Sequence, residues 1–188
     1  MALLSREEFD AIEFDATCTG DYKSAAERML ALATTGTQSD SMPRAEAFVR
    51  AGEQWLLADN PSAAASGFRM AIADGGPVDV DPRVHLSRAL LLLGSADEAA
   101  ELLADLKAEG HADARTCFVL AELLLEQADL DSALDWATAG VDLIVRAGSG
   151  PGMPPDPDPG LDDLLRLRYR IRNDLRLPED EYDRMLSA

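Results

Sequence analysis

Near the end of this 188-residue chain arginine is concentrated at Arg166, Arg168, Arg170, Arg172 and Arg176. Arg168, Arg172 and Arg176 recur every fourth residue, so on a helix they form one cationic stripe. Such a stripe has the chemistry to meet phosphates. The whole chain, however, carries 35 acidic against 17 basic side chains, a formal net charge of −18. A polyanion would be repelled, which argues against direct nucleic-acid binding. The stripe is expected to pair with the chain's own acids or with an acidic partner. The remaining reactive residues are sparse. His85 and His111 are the only histidines, and no motif joins either to a nucleophile or to metal-ligand spacing. Cys18 and Cys117 form no C-x-x-C pair and read as buried apolar thiols. Gly148-Ser149-Gly150-Pro151-Gly152 lacks the lysine and helix start of a phosphate-binding loop. Carboxylates at caps and on surfaces serve helix ends and solubility. Neither an enzyme, a cofactor nor a metal is expected from these residues, and binding becomes the function to look for.

The elements that position the side chains are helical. Hydrophobic residues make up 47% of the chain but aromatics only 5%, with alanine and leucine dominant. Both residues favour helices, and runs of Val, Ile and Thr are absent. The fold class expected is all-α. No apolar run reaches signal-peptide length or the ~20 residues of a membrane span, so the cytoplasm is the expected compartment and no membrane partner is expected. Arginine greatly outnumbers lysine, which occurs only at Lys23 and Lys107, a bias that fits a GC-rich bacterial genome.

One spacing recurs three times: Gly52…Ala64…Phe68, Ser87…Ala99…Leu103 and Cys117-x2-Leu120-Ala121…Ala133…Ala137. The small residues 52, 87 and 121 lie 35 and then 34 apart, and ~34 is the period of a helix-turn-helix solenoid. Punctuation places the helices. Ser41 with Pro43 opens one to about Ala58, Asn60-Pro61 the next, and Gly75-Gly76-Pro77 closes that hairpin. Asp81-Pro82 launches a helix to about Leu93, Ser95 to Glu98 reads as a capping box, and Gly110 ends the pair. A third pair spans about 112–127 and 129–147. Phe9-x2-Ile12 and Gly20-Asp21-Tyr22-x2-Ala25-x3-Met29 form a weaker first copy in which Glu13 holds the small-residue position, with an insertion near Thr34–Asp40. The proline-rich stretch 148–160 reads as an extended linker. After it, Leu164, Leu167, Ile171 and Leu175 line one face of a helix that is expected to dock on the repeats, and Pro178 begins a short last helix. The domains expected are therefore a repeat domain over 1–147, a linker over 148–160 and a helical cap over 161–188.

The stretch Phe48-x2-Ala51-Gly52-x2-Trp55…Ala64-x3-Phe68-x2-Ala71…Gly76-Pro77 resembles the tetratricopeptide repeat. Later copies keep the small residues and lose the aromatics. The resemblance covers Ser5 to about Ala147. It implies a right-handed α-α superhelix of helical hairpins, in which the first helix of each hairpin lines a concave groove. Carried over by offset, the groove residues are Glu46, Val49, Glu53 and Leu56, then Asp81, Val84, Arg88 and Leu91, then Arg115, Phe118, Glu122 and Leu125. The Asn and Lys that some relatives use to clamp a terminal carboxylate are absent from these positions, and Glu occupies two of the sites that such a clamp needs. The resemblance thus implies a scaffold or adaptor that binds another protein or peptide with apolar anchors and basic residues. Two alternatives remain at this stage: an acidic regulator that sequesters a basic protein such as a DNA-binding factor, and a self-associating structural protein.

Overall fold

The computed structural model describes residues 3–110, 112–148 and 159–186. Most of the linker expected over 148–160, and His111, lie outside the described residues. The described residues form an all-α protein of ten helices: α1 (Arg6–Thr19), α2 (Tyr22–Thr35), α3 (Arg44–Leu57), α4 (Pro61–Asp74), α5 (Pro82–Leu92), α6 (Ala96–Glu109), α7 (Ala114–Glu126), α8 (Leu130–Gly148), α9 (Pro159–Asp174) and α10 (Glu181–Met185). No β-strand forms among them, only isolated bridges between Leu3 and Thr37 and between Ser39 and Met42.

Short polar side chains set the helix starts. Asn60, Asp81 and Asp113 accept the backbone N–H of Ala63 at 3.1 Å, Arg83 at 2.9 Å and Thr116 at 2.7 Å, satisfying amides that the helix itself leaves unpaired. Pro61 and Pro82 follow two of these caps at no loss of hydrogen bonding. Two expected starts move. Ser41 belongs to the Ser39–Met42 bridge, and α3 begins at Arg44 behind Pro43. The last helix starts at Glu181 rather than Pro178, because Asp180 and Asp183 cap each other's backbone there. At the expected box of α6, Glu98 is bonded to Arg69 of α4 instead.

The chain divides into two compact units, Met1–Glu109 and Gly110–Ala188. The third hairpin, grouped with the first two by its spacing, shares the second unit with α9 and α10. Within the first unit each helix packs on the next, and α5 also reaches α3. Within the second, α7 packs on α8, α8 on α9 and α9 on α10, while α9 also reaches α7. The triplets α3-α4-α5 and α7-α8-α9 therefore share one arrangement: a helix pair closed by the next helix in sequence. Leu164, Leu167 and Ile171 are buried in that closure.

Small residues sit where helices cross. A Cβ on Gly52 would stand 2.4 Å from the Phe68 ring, and Ala64, Ala99, Ala121 and Ala133 are buried. Ser87 is buried too, its hydroxyl donating to the Arg83 carbonyl at 2.8 Å. Such residues let two backbones approach while a large neighbour fills the gap beside them. Glu13, the exception in the first copy, has a partner instead. Arg50 of α3 donates from Nε to Glu13 Oε1 at 2.7 Å and from Nη2 to Glu13 Oε2 and Asp10 Oδ1, each at 2.6 Å. Its guanidinium lies 5.6 Å from the centre of the Phe9 ring. An ion-paired clamp replaces close packing between α1 and α3.

Candidate protein-binding face

In the first unit the structure splits the sequence-predicted groove residues into two sets. Glu46, Val49 and Val84, at the N-terminal ends of α3 and α5, are buried. The connection from α4 to α5 covers this end. There Asp79 N–H donates to Glu46 Oε2 at 3.0 Å, and Val80 is buried. Burial pushes the Glu46 carboxyl above its usual range, with the Asp79 N–H opposing the shift. Asp81 is the N-cap of α5 and also pairs with Arg83, whose Nη2 lies 2.7 Å from Asp81 Oδ2. Three of these residues are buried in the fold, and the half-buried Asp81 is engaged as a cap and ion-pair partner. The helix offset that placed them on a groove says nothing about a loop folding over it. The other four remain accessible in part. Leu56 and Leu91 pack half-buried against the core. Glu53 and Arg88 are also half-buried, with Glu53 Oε1 4.0 Å from Nδ1 of His85. His85 itself is buried and stacks on Phe68, their ring centres 5.4 Å apart.

The same offset, applied to the first copy, identifies a residue that sequence reasoning passed over. Phe14 follows Glu13 as Glu53 follows Gly52 and Arg88 follows Ser87. It is 73% exposed on α1. Leaving a phenyl ring in water forgoes about 1.5–3 kcal/mol of burial. Cys18, one turn further along α1, is exposed as well, contrary to the expectation of a buried thiol. Cys117 meets that expectation: burial, reinforced by Asp113, pushes its thiol up to about 11.

In the second unit Arg115 and Glu122 are exposed, while Phe118 and Leu125 are half-buried against a cluster that includes Leu167 and Ile171 of α9. Arg115 and Phe118 also line a pocket of about 420 Å³ with Asp113, Ala114, Ile144, Gly160, Asp163 and Leu164. The expected stripe is shorter than its spacing suggests, because α9 ends at Asp174 and Arg176 adopts a left-handed φ of 56° beyond it; Arg168 and Arg172, which remain on α9, have partners within their own unit. Arg168 grips Asp180 through two hydrogen bonds, of 3.0 and 2.5 Å, and reaches Asp183 at 3.2 Å. Arg172 Nε donates to Asp183 Oδ2 at 3.0 Å and Arg172 also bonds the Pro178 carbonyl. Arg168 further donates to Thr138 Oγ1 at 3.0 Å and lies over the Tyr182 ring, whose hydroxyl donates to Asp142. The Arg168 guanidinium holds the Asp180 carboxyl down to about 2. Two arginines and two aspartates thus form a lattice that fastens α10 to α9.

Among the described residues, no group of three His, Cys, Asp or Glu side chains is placed to hold a metal ion, and no helix is long and apolar enough to cross a membrane. Neither a protein-family model, nor a curated protein, nor a solved structure matches the chain.

Proposed function

We propose that this chain is a protein-interaction module of the tetratricopeptide type, and that its first unit receives a segment of another protein across α1, α3 and α5. Phe14, 73% exposed at the register position of Glu53 and Arg88, is the observation that carries the reading. Leu56 of α3 and Leu91 of α5, both half-buried, supply further apolar contact. Arg50 links α1 to α3, and α5 packs on α3, so the three helices are neighbours within one unit. The occupant is a segment with apolar anchors and basic residues. Charge selects it: residues 1–109 hold nineteen acidic against nine basic side chains.

The test is quantitative. A protein captured from native extract is purified, and its affinity is measured for the parent and for Phe14→Ala. Truncating a central aromatic anchor commonly costs about 2 kcal/mol or more, roughly a thirtyfold loss of affinity. The melting temperature should not move, because the ring is exposed. Unchanged affinity in Phe14→Ala would remove this face as the receptor. Binding that collapses with added salt while ignoring Phe14 would favour charge sequestration of a basic protein. Self-association that Phe14→Ala abolishes, seen by sedimentation, would make the occupant a second copy.

A further inference from the structure

Two glycines make the α3–α4 crossing close: a Cβ on Gly67 would lie 3.4 Å from Gly52 Cα. The register of the first copy, 39 residues earlier, puts Glu13 and Arg28 at those positions. Side chains of that size cannot approach as two glycines do. Along the α1–α2 seam there is instead a cleft of about 230 Å³. Ile12, Ala16 and Ala25, all buried, form its apolar floor, and Asp15, Asp21 and Arg28 stand on its rim. The cleft opens away from α3, because Arg50 of α3 binds Asp10 and Glu13 on the other face of α1.

Elsewhere in the chain such a seam has a helix on it. α2 packs on α3, α4 on α5 and α8 on α9, so each of these first helices is covered by the helix before it. Among the described residues no helix precedes α1. Asp15 and Ser24, exposed on the cleft rim, are matched in the second copy by Gln54 and Ala63, which are buried and half-buried. The covering helices are the second members of their pairs, and α10 is the last of these. Tyr182 packs on the cluster of Val141 and Leu164, and Asp183 meets Arg168. That leaves Glu181, Arg184 and Met185 exposed on the outer face of α10. The Arg184 guanidinium carries no hydrogen bond or ion pair among the described residues.

We propose that α10 of one copy docks in the α1–α2 cleft of a second copy, a head-to-tail contact. Met185 enters above Ile12, Ala16 and Ala25, where a flexible thioether fills an irregular gap. Arg184 meets Asp15 and Asp21, and Glu181, the one exposed acid of α10, meets Arg28. The two patches differ, so the contact is heterologous, and each copy keeps one patch of either kind for the next. It uses none of the residues of the Phe14 face.

Sedimentation velocity of the full chain, from about 10 μM to about 1 mM, reads the association, since contacts this small are weak. The average mass should rise with concentration and fall back in about 0.5 M salt. Ser24→Trp closes the cleft from its exposed rim, and Arg184→Asp turns attraction into repulsion. Each should weaken association roughly tenfold or more, with melts that match the parent because both residues are exposed. Each variant is defective at one patch only. Mixed, the intact α10 of Ser24→Trp meets the intact cleft of Arg184→Asp, and association should stop at a 1:1 pair. Phe14→Ala should leave the association unchanged. A parent that stays monomeric up to about 1 mM overturns the proposal. So do variants that associate like the parent, or a mixture that stays monomeric or grows past a pair. Association that Phe14→Ala abolishes also overturns it, since the second copy would then occupy the other face.

Discussion

Gly52 and Gly67 face one another across the α3–α4 crossing, and the same substitution should act on them with opposite sign. An alanine Cβ at Gly52 would stand 2.4 Å from Cε1 of Phe68 and 2.8 Å from Cδ1 and Cζ. Phe68 is fully buried and its ring is rigid, so the ring or the helix must shift. Overpacking of this kind costs about 1–3 kcal/mol, and a contact so short places it in the upper part of that range. Alanine returns about 1 kcal/mol through helix propensity. The net expectation for Gly52→Ala is a loss of about 1–2 kcal/mol. At Gly67 the nearest atoms to the new Cβ are 3.4 Å away, an ordinary contact. There the propensity gain stands alone, and Gly67→Ala should be neutral or stabilising by up to about 1 kcal/mol. Urea unfolding followed by Trp55, which is buried in the first unit, reads this unit alone once Trp136 of the second is replaced by Phe. Thermal melts should show Gly52→Ala lower by roughly 4–16 °C, given 4–8 °C per kcal/mol for a unit of about this size. If Gly52→Ala unfolds at or above the parent's midpoint, the crossing is not tight and the small residues of the repeat do not mark helix contacts.

Other outcomes follow from the same packing. Ala99→Leu and Ala133→Leu insert three carbons at positions of 1% and 0% exposure and should each destabilise their unit by about 1–3 kcal/mol in denaturant melts. Glu46→Gln keeps an acceptor for the Asp79 amide and removes a charge that burial disfavours. At neutral pH it should equal or exceed the parent in stability, while Glu46→Ala leaves the amide unpaired and loses about 1–3 kcal/mol. The raised carboxyl binds its proton more tightly in the folded state, so the parent's deficit against Glu46→Gln should shrink as pH falls through the folded value towards 4.5. Asp180 acts with the opposite sign, its carboxyl held down to about 2 from 3.8. Its contribution should be complete above about pH 5 and fade as pH falls towards 2, visible as loss of the Tyr182 near-ultraviolet signal, and Asp180→Asn should show no such fade.

Much of the fold was legible because crossings constrain residue size in a periodic way. Gly52, Ser87 and Ala121 had to be small wherever the hairpins sat, and their spacing carried through to buried positions. Asn60-Pro61 and Asp81-Pro82 were legible for a local reason, since a cap needs only its own first turn. The groove was less legible. Helix offset places Glu46 and Val49 on a face, but whether a loop lies over that face depends on the chain between α4 and α5, and no periodicity describes that chain. Phe14 was hidden for a different reason: Glu13 broke the small-residue pattern, so the offset was not extended to the first copy. The signal that would have found it is the pairing of Glu13 with Arg50, a long-range contact that one sequence does not display.

The arginine stripe shows how far spacing alone reaches. Fourfold spacing puts Arg168 and Arg172 on one face of α9, which ends before Arg176, and the net charge of −18 directs them towards acids of the same molecule. Those two facts do not say which acids. The choice falls on Asp180 and Asp183 because α10 is short enough to need both as caps, and the same oxygens that cap it meet the guanidinium groups. Arg168 and Arg172 are therefore neutralised by residues already fixed for another purpose. The lattice is largely buried, with Arg168 and Asp183 at 4% and 6% exposure, so removing one member strands its partner, and Arg168→Ala should cost the second unit about 3–5 kcal/mol. Replacing Arg168 by Met together with Asp183 by Leu removes both charges and should recover part of that loss, because no charge then remains buried without its pair. Chemical unfolding of the single and double variants, followed by Trp136 fluorescence, measures the difference. A double variant no more stable than Arg168→Ala would mean that the lattice acts through the α10 cap geometry and not through charge pairing.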